Sequence, residues 1–161
     1  MLYILDRVHL SIYIWIRLYI YSIDRFSDMI TPQQSQPNLD PQRIAGAALQ
    51  AFFNLSKRWG LSAAQERTLL GSPPESTFFK WKAEKGARRL GRDVLERISY
   101  LLGIYKALHL LLPSPRAADE WVNKPNTAPL FHGQSALQRM LGGSLVDLAD
   151  VRRYLDAQRG L

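Results

Sequence analysis

Cysteine is absent from this sequence, and histidine occurs only at His9, His109 and His132. Without thiols the chain forms neither disulfides nor thiolate metal sites, and a cytoplasmic, reducing location is expected. No His, Asp and Glu group has metal-ligand spacing, no glycine-rich loop is built to cradle phosphate, and no serine stands at a spacing that suggests a nucleophile with its base. The expectation is therefore a non-enzyme with no metal and no cofactor. Long apolar runs are scarce as well. Val8–Ile23 comes nearest, but it has 16 residues and contains His9, Ser11, Arg17 and Ser22, whereas a membrane span needs about 20 mostly apolar residues. It lacks a basic leader and a small-residue cleavage site, so it does not read as a secretory signal. A buried or interfacial helix remains compatible with it, and membrane association is not expected.

Positive charge, by contrast, is plentiful. The 161 residues hold 21 basic and 14 acidic side chains, a net charge of +7 and a pI near 9.9. Such a balance favours nucleic acid, anionic lipid or an acidic partner. From Asp40 to Arg92 there are ten basic and four acidic residues, whereas residues 93–161 hold eight and seven and residues 1–39 are neutral. Nearly all the excess therefore lies in the middle third. Residues 1–28 also differ in composition, being dense in Ile and Tyr with no Ala or Gly. Met29 begins a polar leader, MITPQQSQPNLDPQR. Residues 1–28 are accordingly read as translated upstream sequence and residues 1–39 as a leader outside the folded part, with Met29 as the expected start.

From Asp40 onward the chain reads as all-α, and a hydrophobic content of 47% is enough for a core. Asp40 is placed to cap a helix whose first residue is Pro41. Ile44, Ala48, Phe52 and Leu55 recur at helical spacing up to Trp59-Gly60. A second helix is expected over Ser62–Leu70 and a third from Ser72 to about Gly86. Each opens on a capping-box pattern, Ser62-Ala-Ala-Gln65 and Ser72-Pro-Pro-Glu75. A fourth spans about Arg92–Leu112, with Val94, Ile98, Leu101, Tyr105, Leu108 and Leu112 in one stripe that Leu95, Leu102 and His109 widen. Short helices are expected around Ala117–Val122 and Gln134–Leu141, and a last one from Ser144 with Leu148, Val151 and Leu155 on one face.

Two short helices joined by a glycine-containing turn, followed by lysines, form a helix-turn-helix pattern. In such a pair the second helix enters the DNA major groove. On a helical wheel Phe78 and Trp81 share a side with the stems of Lys82 and Lys85, while Ser76, Lys80 and Ala83 lie opposite. Ser76 and Thr77 are thus placed for base edges, and Lys80, Lys82, Lys85, Arg88 and Arg89 for phosphates. An ordinary helical hairpin with solvated lysines has the same local pattern, and Glu84 would face phosphates unfavourably.

The stretch EWVNKPNTAPLFHGQSALQRMLGGSLVDLADVRRYLDAQRG carries a more specific pattern. It has Trp121, the pair Pro125-Asn126, apolar Leu130-Phe131, Gly133, the short run Leu137–Leu141, the stop at Gly142, and Val151 and Leu155 on a final helix. This resembles the toxin-binding domain of Xre/MbcA/ParS-type antitoxins, and Leu61–Leu108 resembles their helical N-terminal half. One departure is Gln134-Ser135-Ala136 where many members have Ser-Pro after the loop glycine; Ser135 is still able to cap. The resemblance covers about Ile44 to the C-terminus. It implies a helix-turn-helix region over 40–112 and a toxin-binding domain over 113–161. It further implies a type II antitoxin that covers the active site of an NAD-degrading RES-domain toxin, represses its own operon through operator DNA, and forms homodimers and larger toxin–antitoxin complexes. Trp121, Asn126, Phe131, His132, Arg152, Arg153, Tyr154 and Arg159 are the candidate toxin contacts, since aromatics with arginines are typical interface anchors. Trp121 and Phe131 are equally compatible with plain core positions, and His109 reads as a partly buried core residue. The alternative is a stand-alone helix-turn-helix regulator. Removing Ser144–Leu161 is expected to abolish toxin neutralisation and spare DNA binding.

Overall fold

The computed structural model describes residues 41–84 and 89–160. The leader with its Met29 start, the Asp40 cap, Lys85 and Arg88 lie outside the described residues. Seven helices follow one another among those residues: α1 Pro41–Trp59, α2 Ala63–Leu69, α3 Glu75–Glu84, α4 Arg92–Leu111, α5 Pro115–Trp121, α6 Ala136–Met140 and α7 Leu145–Gln158. No strand occurs among them, only an isolated antiparallel bridge between Pro125 and Ser135, so the fold is all-α.

Side-chain caps set most of the boundaries. Ser62 and Gln65 form a reciprocal capping box at α2, and Ser135 with Gln138 and Ser144 with Asp147 do the same at α6 and α7. Ser135 thus starts its helix without the Ser-Pro pair, through Gln138 N–H to its hydroxyl at 3.1 Å and its own N–H to Gln138 Oε1 at 2.8 Å. At α5, Ser114 accepts from Ala117 N–H at 3.2 Å and Pro115 occupies the first turn, so that helix begins two residues before the expected Ala117.

The third helix corrects the sequence reading. It begins at Glu75 rather than after a Ser72 cap. Ser72 instead finishes the preceding helix: Gly71 N–H reaches Thr68 O at 3.0 Å and Ser72 N–H reaches Arg67 O at 2.8 Å. This is a Schellman closure, with Gly71 at φ +87° and Ser72 at φ +55°. A residue held in the left-handed region at one helix's end is not free to take the extended backbone of the next helix's cap. The Arg67 guanidinium fixes the turn further, donating from Nε to Pro73 O at 2.7 Å. Pro74 O then accepts the first bond of α3, from Phe78 N–H at 3.0 Å.

Helix α4 is the central pillar. Leu95, Ile98, Leu101, Leu102, Ile104, Ala107 and Leu108 are buried, and each large aliphatic among them contributes about 1.5–3 kcal/mol through burial. The expected single stripe is too narrow: Val94, Tyr105 and Leu112 are only half-buried, while Ile104 is fully buried. The reason is that α4 packs most extensively against α7 on one side and α1 on the other, and also against α5. Leu148, Val151 and Leu155 of α7 therefore join Phe52, Leu55 and Phe78 in one continuous core. Removing Ser144–Leu161 would strip three side chains from that core, so the expectation that the truncated chain keeps an intact DNA-binding half is withdrawn.

Candidate functional site

Helices α2 and α3 are locked by a buried charge pair. Glu66, 4% exposed, lies beneath the pair of helices. Its carboxylate accepts from Ser56 Oγ of α1 and from Lys82 Nζ of α3, both at 2.5 Å. A buried carboxylate is tolerated only with such partners. The Lys82 ammonium also lies 5.9 Å from the Phe53 ring and 5.7 Å from the Phe78 ring, within cation–π range. Lys82 therefore serves as an internal clamp between α2 and α3, although its side chain stays 41% exposed. Phe78 is buried against Phe53, with ring centroids 6.2 Å apart.

The exposed side of α3 carries Glu75, Ser76, Phe79, Lys80 and Ala83, and Thr77 is half-buried. Arg89 is exposed just ahead of α4. Phe79, 53% exposed, was missed in the wheel reading. The signal was available: adjacent residues on a helix point about 100° apart, so Phe78 and Phe79 cannot both face a narrow core contact.

A second feature ties this helix pair to the rest of the chain. Arg97 of α4, 8% exposed, donates from Nε to Asp93 Oδ2 at 2.9 Å and from Nη1 to Gly143 O at 3.0 Å. Gly71, in the turn between α2 and α3, lies directly against it: a Cβ there would stand 2.8 Å from Arg97 Nε and 2.9 Å from Asp93 Oδ2. One guanidinium thus touches the helix-turn-helix turn and the turn that precedes α7.

In the C-terminal part Trp121, Phe131 and Tyr154 form an aromatic cluster. Trp121 and Tyr154 stack at 6.5 Å, and Phe131 sets its edge to both, at 5.8 Å and 5.0 Å. Phe131 is 2% exposed and occupies the core, while Trp121 and Tyr154 are half-buried and retain an outer edge. Asn126 is a loop organiser: its Oδ1 accepts Ala128 N–H at 2.9 Å, its N–H reaches Gln134 O at 3.0 Å, and its O accepts Gly133 N–H at 3.0 Å. That scaffold holds His132 exposed with φ +50°, a conformation uncommon for a residue with a side chain.

The arginines of α7 sit among carboxylates. Arg152 Nε donates to Asp156 Oδ2 at 2.8 Å, Arg153 to Asp150 Oδ1 at 2.5 Å, and Arg159 lies 3.7 Å from Asp156. Arg139 bridges Asp147 and Asp150 at 3.2 Å and 3.1 Å. The near-neutral balance of residues 93–161, eight basic and seven acidic, supplies these carboxylate partners. Arg153 remains the most exposed of the three candidates. His109 is half-buried, as expected, with Nδ1 3.0 Å from Tyr105 O and Nε2 3.6 Å from Asp119 Oδ1, which Arg58 approaches from the other oxygen at 3.7 Å. Nearby, Glu120 is held below the usual carboxylate range by hydrogen bonds from Arg116 and Lys124. No cluster able to hold a metal occurs among the described residues, and no described helix is long and apolar enough to cross a membrane.

Two family models match consecutive stretches of the chain. Residues 39–103 match the antitoxin Xre-like helix-turn-helix domain, and residues 107–160 match the antitoxin Xre/MbcA/ParS C-terminal toxin-binding domain. The uncharacterized protein y4oB of Sinorhizobium fredii is similar as well, 49% identical over 126 residues that cover 78% of this chain and 94% of that protein. The two matched segments, a helix-turn-helix domain followed by a toxin-binding domain, meet within α4, and the chain belongs to the Xre/MbcA/ParS family of antitoxins.

Proposed function

We propose that this chain neutralises a cognate RES-domain, NAD-degrading toxin by covering its active site, and that it represses its own operon by laying α3 in the major groove of operator DNA. The observation that carries the reading is the order of the two matched segments, helix-turn-helix first and toxin-binding second, on one shared pillar helix. On the DNA side Ser76, Thr77 and Lys80 meet the groove, with Arg89, Lys85 and Arg88 on phosphates; Lys82 contributes by holding α3 in place. On the toxin side the outer edges of Trp121 and Tyr154, the exposed His132, and Arg153 and Arg159 make contact, while Phe131, Asn126 and Arg152 shape the surface from within. A homodimer presents two α3 helices to successive major grooves.

Co-expression with the gene beside it tests the reading. The neighbouring product is expected to be toxic alone, to be silenced by this chain, and to co-purify with it. The double substitution His132→Ala, Arg153→Ala is expected to weaken toxin binding while retaining operator binding. No toxic neighbour and no co-purifying partner, together with specific binding to the chain's own upstream DNA, would establish the stand-alone regulator instead.

A further inference from the structure

We propose that Phe79 reads thymine: its ring contacts the C5-methyl groups of thymine in the major groove and makes this contact a determinant of operator sequence. The inference rests on the DNA-binding reading above and specifies what α3 recognises. Phe79 lies on the exposed face of α3, with Glu75 and Ser76 one turn before it and Lys82 and Ala83 one turn after it. Ser76 and Ala83 are small, so the ring projects beyond them on that side. It stands edge-on to Phe78 with centroids 5.2 Å apart and an interplanar angle of 67°, and Phe78 is buried. An aromatic ring has only two side-chain torsions to lose on contact.

The surroundings select the partner. Lys80 is the next residue and is exposed. The sequence from Asp40 to Arg92, in which α3 lies, holds most of the positive excess of the chain. Among the described residues the other exposed large apolar side chains, Leu110 and Val146, belong to α4 and α7, and the side chains flanking Phe79 on α3 are charged, polar or small, so Phe79 is an isolated apolar point on that helix. Among the features a base pair presents in the major groove, the thymine methyl is the one apolar group that suits such a point.

The test uses the full chain and the duplex immediately upstream of its own gene, with each thymine in turn replaced by deoxyuridine, which removes only the methyl. Wild type is expected to bind this duplex above an unrelated one and to lose about fourfold in affinity at one or two of the replacements. Phe79→Ala is expected to bind about tenfold more weakly, to be indifferent to those same replacements, and to keep the wild-type salt slope, since no charge is lost. Lys80→Ala is expected to do the reverse, lowering the slope by about one while keeping its sensitivity to the methyl. The proposal is overturned if Phe79→Ala binds like wild type, if it responds to deoxyuridine as wild type does, or if it loses the toxin while keeping the DNA. Should wild type itself not distinguish its own duplex, the DNA-binding reading fails and this inference falls with it.

Discussion

Replacing Gly71 by alanine should cost far more than a helix-ending glycine ordinarily does. Gly60 and Gly71 occupy the same position of the same motif. Gly60 N–H reaches Lys57 O at 3.3 Å and Leu61 N–H reaches Ser56 O at 3.0 Å, the pairing that Gly71 and Ser72 repeat at the end of α2. Both glycines have positive φ, +67° and +87°, so alanine at either costs about 1–2 kcal/mol of backbone strain. They differ in what a methyl would meet. At Gly60 nothing lies within 4 Å; at Gly71 the methyl would stand 2.8 Å from Arg97 Nε, 2.9 Å from Asp93 Oδ2 and 3.3 Å from Arg97 Cδ. Asp93 is largely exposed and can swing away. Arg97 is buried, and moving it breaks its bond to Gly143 O, a charged hydrogen bond contributing about 1.5–3 kcal/mol. Gly71→Ala is therefore expected to cost about 2.5–5 kcal/mol in total, against about 1–2 for Gly60→Ala. Urea unfolding with an unchanged m-value measures both. In an Arg97→Ala background the two costs should converge, because the obstacle is gone. Equal costs in the wild-type background, or no convergence without Arg97, would refute the contact.

Three further outcomes follow from the geometry. Lys82→Ala leaves Glu66 buried with Ser56 as its remaining partner and should destabilise the chain by about 1–3 kcal/mol in urea unfolding, whereas Lys80→Ala should stay within about 0.5 kcal/mol of wild type and show itself only in the salt dependence of DNA binding. The Glu120 carboxyl should titrate below the usual range by NMR and return toward it in Arg116→Ala; because its folded pKa is depressed, the small stabilisation of α5 is present above the ordinary carboxylate range and fades as the pH falls through the lowered value. Leu155→Ala should cost about 2–5 kcal/mol, as truncations of buried leucines do, and should lower the unfolding midpoint of the whole chain in a single transition.

The helices were legible because their caps and periodicities are local. Ser62, Ser135 and Ser144 announce their helices through side-chain oxygens and a partner three residues on, and the structure uses all three. Ser72 carries the same signature and does something else, since Gly71 before it makes it the last residue of one turn before it can become the first of another. A motif read forward from Ser72 misses what is imposed from behind. The stem of Lys82 packs on the preceding helices as its side of the wheel implies, but its carboxylate partner was not legible. Its sequence neighbours are cationic, and only the fold brings Glu66, sixteen residues away, beneath it. Phe131 and the α7 arginines show the same limit: composition marks them as interface types, but burial of the one and carboxylate partners of the others depend on contacts that no local pattern encodes.

The continuity of the core also decides which experiments can separate the two activities. The boundary between the two matched segments falls within α4, so neither segment has that helix to itself. Leu155 lies 2% exposed in the toxin-binding segment, yet it belongs to the same cluster as Phe52 and Phe78 beneath the helix-turn-helix. Arg97 adds a polar link, touching the turn at Gly71 and the carbonyl at Gly143. A core substitution at either end therefore draws on one common stability, and loss of DNA binding in Leu155→Ala would say nothing about what α7 touches. Two separate unfolding transitions in that variant, each following one segment, would refute this. If the core is shared, only exposed positions such as Lys80 on α3 and His132 or Arg153 at the other end report one function at a time, because their side chains contribute little to the cluster that holds both.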